Sequence, residues 1–230
     1  MKPHKSPSKT PPSDSHRTPP YGWILTAMVI VDVVLETYDA VEFTAWPIAE
    51  PSSDRLLALS GRLSPAEVGT AMAIIFSYNS IPVTHAADLT EAHLEQRLAE
   101  AGRLIAPGGL RFRDTTTGVS VSPGCCCGLE NWRDWWSVAR GQEIWLGHDP
   151  MPHLTHAGHI IQLRQDVDAT PPSSPIEITR SELTSLLATA QQHLTEFLGL
   201  ARHWATATTP ALADRLVSAL DQYLMITVAE

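Results

Sequence analysis

Residues 179–201 read TRSELTSLLATAQQHLTEFLGLA, and this stretch decides what kind of fold the chain can make. Leu183, Leu186, Leu187, Ala190, Leu194, Phe197, Leu198 and Ala201 recur at intervals of three and four, which puts them on one stripe of an α-helix. Thr179 and Glu182 stand three apart at its start, where a hydroxyl and a carboxylate satisfy backbone N–H groups that lack partners in the first turn. A helix this one-sided has to dock on something. Thr209-Pro210 then opens a last helix with Leu212, Leu216, Leu220 and Leu224 along one face. The spacing predicts an amphipathic helix pair packed on one face of a sheet.

That sheet has to come from upstream. Trp23 to Leu35, rich in Val and Ile, and Val41 to Trp46 read as two strands of a hairpin with a break at Thr37 to Ala40. Ser64, Pro65 and Glu67 fall at the N-cap, first and third positions of a helix that runs towards Phe76 and stops before the turn at Asn79 to Pro82. Asp88 and Glu91 repeat the capping pattern ahead of a shorter helix, with Leu94 and Leu98 on one face, reaching about Ala101. Arg111 to Arg113 and Val119 to Val121 flank DTTTG, a hairpin with its loop glycine at Gly118. Glu143 to Gly147 and His159 to Arg164 are further strand candidates, separated by a loop containing HDPMPHLTH; a polar linker spans Asp168 to Pro175. Strands and helices without regular alternation predict an α+β fold with a mixed or antiparallel sheet.

At 230 residues and 43% hydrophobic, the chain suits one domain, residues 21–230, behind a tail at residues 1–20. The tail, MKPHKSPSKTPPSDSHRTPP, holds six of the 18 prolines and every lysine, and is expected to be disordered. Its Lys2, Lys5, Lys9 and Arg17 stand against Asp14, leaving 12 arginines and 24 carboxylates, a balance of -12, in the body. Such a body repels phosphate backbones, so no direct nucleic-acid binding is expected. The run WILTAMVIV meets Asp32 and Glu36 too soon for a membrane span. Three adjacent cysteines cannot staple distant loops, which points to a reducing, cytoplasmic setting.

The chemistry candidates cluster in GCCCGLENWRDWW, residues 124–136. Leu129, Trp132, Trp136 and Ala139 fit one helical face, with Trp135 sharing most of it, while Arg133, Asp134 and Arg140 face solvent. Trp132, Trp135, Trp136 and Trp145 are four of the seven tryptophans; exposed, they would anchor a ligand or partner, but helical spacing predicts core rings with at most one at the surface. The flanking glycines mark a sharp strand-to-helix corner, and the thiols are expected to fill small spaces beside the indoles.

Two other chemistries remain open. A nucleophilic Cys127 would take His148 as base and Asp149 as the group that orients it. A zinc ion would take Cys125 with His153, His156 and His159, although adjacent cysteine side chains diverge, unlike ligands spaced two to four residues apart. No cofactor is expected otherwise. There is no Walker loop, no G-x-G-x-x-G, no G-x-S-x-G and no H-E-x-x-H, so the familiar enzyme classes that carry them lose weight.

The words GCCCGLENWRDWW and WLGHDP, followed by the helix pair, resemble a group of uncharacterised bacterial proteins, chiefly actinobacterial, with a GCCxGLExWRxW-like segment. The likeness covers about Gly109 to Tyr223 and implies no assigned functional residue. By analogy with small acidic α+β immunity proteins, it implies a non-enzymatic cytoplasmic module that binds another protein, such as a basic toxin. A metal- or thiol-dependent enzyme centred on the CCC turn and His148 is the competing expectation.

Overall fold

The computed structural model describes residues 28–37, 43–81, 83, 85, 90–101, 104–166 and 174–227. The tail, the start of the first strand candidate, Val41 and Glu42, Asp88 and most of the Asp168 to Pro175 linker lie outside the described residues. The described chain is an α+β fold in which all the strand ladders are antiparallel.

Strand β1 (Val29–Glu36) lies between β2 (Leu56–Leu59) and β3 (Gly108–Asp114), and β3 pairs on its other edge with β4 (Ser120–Val121). The register sets Val31 opposite Phe112 and Val33 opposite Leu110, all of them buried. Successive side chains of a strand point to opposite faces, so the neighbouring pair Asp32 and Arg111 falls on the other side of the sheet. One face is therefore core, and the other carries charge. Asp32 there accepts hydrogen bonds from Arg111 Nε at 3.1 Å and from Arg113 Nε at 2.7 Å.

A second sheet is formed by β5 (His153–Ala157), β6 (Ile160–Arg164) and β7 (Ile176–Thr179). Helix α1 (Pro65–Tyr78) begins with the predicted capping box of Ser64 and Glu67, and α2 (Glu91–Ala101) follows it. The longest helix, α4 (Arg180–Thr208), begins with the Thr179–Glu182 capping box and buries Leu183, Leu187, Ala190, Leu194, Phe197 and Ala201. It touches β1 and β2 of one sheet and β7 of the other. Helix α5 (Ala213–Tyr223) packs along α4, with Leu212, Leu216, Leu220 and Leu224 buried.

Three expectations need correction. Phe43 to Trp46 forms no strand, and β1 pairs with β2 instead. Trp46 is a plug: it lies edge-on to Phe76 and Trp204 and donates through Nε1 to the Gly69 carbonyl at 2.7 Å. Glu143 to Gly147 is also irregular, because Gly147 at φ +93° turns the backbone out of an extended ladder. The supposed loop at HDPMPHLTH is strand from His153 onward, so His153 and His156 sit on β5.

The tryptophan helix also differs. Leu129–Asp134 is a 3₁₀ turn that continues into α3 (Trp135–Ala139). Side chains eclipse every third residue in a 3₁₀ turn, so the buried row is Leu129, Trp132, Trp135 and Val138. Trp136, assigned to the core row by a period of 3.6, is only half-buried.

Candidate functional site

Chain leaving β4 reaches the three cysteines through Gly124, and backbone hydrogen bonds clamp the turn on both flanks. On one side Gly124 N–H donates to Leu146 O at 2.9 Å, and Cys125 and His148 form an isolated antiparallel bridge. On the other, Gly108 N–H donates to Cys127 O at 3.2 Å and Leu129 N–H to Ala106 O at 2.7 Å. Between these clamps Cys126 adopts φ +66°, a left-handed conformation uncommon for a residue with a side chain.

This turn splits the three thiols. Cys125 and Cys126 are exposed, with their sulfurs 3.6 Å apart, and a His148 ring nitrogen joins them in a group whose ligating atoms all lie within 4.8 Å of one another. Cys127 is partly buried and lines a different, largely apolar pocket. The expected packing of all three thiols into the core is therefore wrong for Cys125 and Cys126. Adjacent side chains diverge, and the left-handed residue sends two of them outwards.

Cys125 stands at the end of a groove of about 810 Å³ across the charged face of the first sheet. Glu36, Asp54, Arg111, Arg113 and Asp149 also line it. Arg113 is raised above its ordinary value, first by its hydrogen bond to the Asp32 carboxylate. Asp54 is lowered, first by the Ser52 hydroxyl and further by Arg111. Both arginines are thus already engaged, which leaves the groove short of positive charge near the sulfurs.

Two of the thiols are raised. Cys125 is raised, first by its contact with the Cys126 sulfur and then by desolvation, the charge of Cys126 and Glu36. Cys127 is pushed up to about 11, first by burial and then by neighbouring negative groups that include Glu130 and Glu36. A nucleophilic thiolate needs the opposite surroundings, an electropositive site that lowers its pKa. Two sulfurs and an imidazole in negative surroundings suit a cation.

The sequence-predicted residues separate accordingly. His148 joins Cys125 and Cys126 rather than Cys127, and its Nδ1 lies 3.5 Å from Asp149 Oδ2. Cys127, Asp149 and His148 therefore do not assemble into a nucleophile with its base. His153, His156 and His159 are spread over β5 and the turn after it, and His156 Nε2 is 3.0 Å from Gln142 O. Among the described residues they join no group of three potential ligands. Trp132, 1% exposed, and Trp135, 7% exposed, are core, whereas Trp145 is 64% exposed.

The chain matches no family model, no curated protein and no solved structure.

Glu36 has no signal in the sequence, and nothing local reveals which of the three adjacent thiols turns inward. Glu36 sits 89 positions before Cys125 and becomes its neighbour only through the pairing of β1 with β3. Among the described residues no helix is long and apolar enough to cross a membrane.

Proposed function

We propose that this protein binds a soft divalent metal ion, with zinc the best match, through Cys125, Cys126 and His148, and uses it on a polar ligand in the adjoining groove. The carrying observation is the convergence of two exposed sulfurs and one imidazole within 4.8 Å. Two thiolates bound at ~2.3 Å to a tetrahedral ion stand about 3.8 Å apart, close to the 3.6 Å between these sulfurs. Three protein ligands leave one position of the tetrahedron open, the arrangement of catalytic rather than structural zinc. Asp149 beside His148 Nδ1 supplies the carboxylate partner that commonly orients a metal-ligating imidazole.

Elemental analysis of untagged protein tests this proposal. One equivalent of zinc is expected, lost in the Cys125→Ser, Cys126→Ser protein and kept in Cys127→Ser. Less than about a tenth of an equivalent, after purification without chelators and zinc addition, contradicts it.

A second proposal, a cytoplasmic immunity-type module that binds a basic toxin, rests on a separate observation. Trp145 and Met151 are both exposed in the loop around His148, on a body with 24 carboxylates against 12 arginines. Large exposed apolar side chains on a chain of net negative charge suit a basic protein partner. Co-purification with neighbouring gene products tests this. A stoichiometric complex that weakens in high salt and in Trp145→Ala supports it; failure of every basic candidate to bind overturns it.

A further inference from the structure

A second cavity, of about 140 Å³, meets the groove at Ser122 and Pro123 but takes Cys127 rather than Cys125 into its lining, with Gly109, Trp135, Ile144 and Trp145 among the others. An apolar cavity of about 150 Å³ in another protein accepts benzene, so this one has room for a single aromatic ring. Its wall includes glycine backbone at Gly108 and Gly109, where a Cβ on Gly109 would stand 3.1 Å from Pro123 Cβ, another lining residue. Trp145 lines it while remaining 64% exposed, an indole left at the mouth rather than packed inside.

Polar groups in the lining give the ligand its charge. Asp134 and Asn131 both line the cavity. Asp134 is the N-cap of α3 but makes no side-chain capping bond, so its carboxylate is not consumed by the helix. Among the described residues that line the cavity there is no Lys, Arg or His. Ring-sized apolar space, one carboxylate and no cation together define the complement of an aromatic ring that carries an amine.

We infer that the cavity beneath Trp145 is a binding site for a small aromatic amine, with its ring in the apolar space and its ammonium at Asp134. This site stands apart from the metal proposal, because Cys127, not Cys125 or Cys126, lines it.

The test titrates full-length protein with benzylamine, benzyl alcohol and benzoate at neutral pH, followed by tryptophan fluorescence and ligand-observed NMR. Benzylamine is expected to bind saturably, about fivefold more tightly than benzyl alcohol and more tightly still than benzoate. Asp134→Asn changes an exposed residue and is expected to abolish the preference for the amine while leaving ring binding intact. Ile144→Trp fills the cavity and is expected to abolish binding of all three compounds. The Cys125→Ser, Cys126→Ser protein is expected to bind benzylamine normally, which separates this site from the metal proposal. Absence of saturable binding, benzoate binding as well as benzylamine, or an unchanged preference in Asp134→Asn overturns the inference.

Discussion

Gly124 and Gly147 lie back to back with no room for a side chain on either. A Cβ on Gly147, which sits at φ +93°, would fall 2.6 Å from the Gly124 carbonyl carbon, and one on Gly124 would fall 2.6 Å from Pro150 O and 2.8 Å from the Gly147 carbonyl carbon. This close approach lets Cys125 and His148 bridge, and the bridge carries both side chains to the same edge. The glycines in GCCCG and WLGHDP are thus a matched pair across the site.

Gly147→Ala is accordingly expected to destabilise the protein by about 1–3 kcal/mol and to weaken metal binding with it. Gly118→Ala is the control. It also has positive φ, +75°, but nothing lies within 4 Å of the added carbon, so it should cost about 1 kcal/mol and leave metal binding alone. Urea midpoints and zinc competition read the two effects separately.

Thiol labelling should divide the cysteines. With Cys127 pushed up to about 11, Cys125 and Cys126 are expected to alkylate in native metal-free protein at pH 8, and Cys127 only after unfolding. The sign of the pH dependence follows from the same shift. A folded-state value above the ordinary 9.0 means the unfolded chain gives up this proton first. The contribution of Cys127 to stability is therefore complete below pH 9 and is lost as pH rises towards 11. Mass spectrometry of labelled peptides and alkaline unfolding curves of wild type against Cys127→Ser measure both.

Two tryptophans that look alike in sequence should behave differently. Trp132 is buried and donates through Nε1 to Leu224 O at 2.8 Å, tying the 3₁₀ turn to the end of α5. Trp132→Phe leaves that carbonyl without its donor and is expected to cost about 1–3 kcal/mol. Trp145→Ala is expected to change stability by less than about 0.5 kcal/mol. Thermal unfolding of the pair decides which indole is structural.

The cap of α4 supplies a fourth expectation. Thr179 Oγ1 accepts from Glu182 N–H at 3.2 Å, while Glu182 Oε2 accepts from Thr179 N–H at 2.8 Å. Thr179→Ala is expected to cost about 1 kcal/mol. Glu182 is lowered by its Thr179 hydrogen bonds, so its share of stability is present above the ordinary value of 4.5 and falls away as pH drops below it. Acid unfolding of Glu182→Gln against wild type reads that loss.

The helices were legible because their signals are local. Ser64 with Glu67 and Thr179 with Glu182 announce their helices within four residues, and both capping boxes form. The hairpin around Gly118 was equally local. Strand partners were harder: nothing near Val41 to Trp46 shows that β1 would choose Leu56–Leu59. β7 went unread because Thr179 both ends the strand and caps the helix, leaving no turn signal between them. The row of tryptophans was misplaced by one residue because a period of 3.6 was applied where a 3₁₀ turn sets a period of three.

Within the site, the CCC run and His148 were visible as chemistry, but their partnership was not. It depends on Gly124 meeting Gly147 and on the left-handed turn at Cys126, both products of tertiary contact. The histidines spaced three apart looked more like a ligand set than His148 did. A strand sends residues three apart to opposite faces, so placing His153 and His156 on β5 separates them.

Cobalt(II) titration of the metal-free protein, followed by absorption, tests the metal proposal most directly, because thiolate ligands reveal themselves through charge transfer to the ion. A near-ultraviolet band that saturates at one equivalent is predicted, weakened in Cys125→Ser and in Cys126→Ser and unchanged in Cys127→Ser. Absence of the band, or its full survival when both Cys125 and Cys126 are replaced by serine, would contradict the proposal.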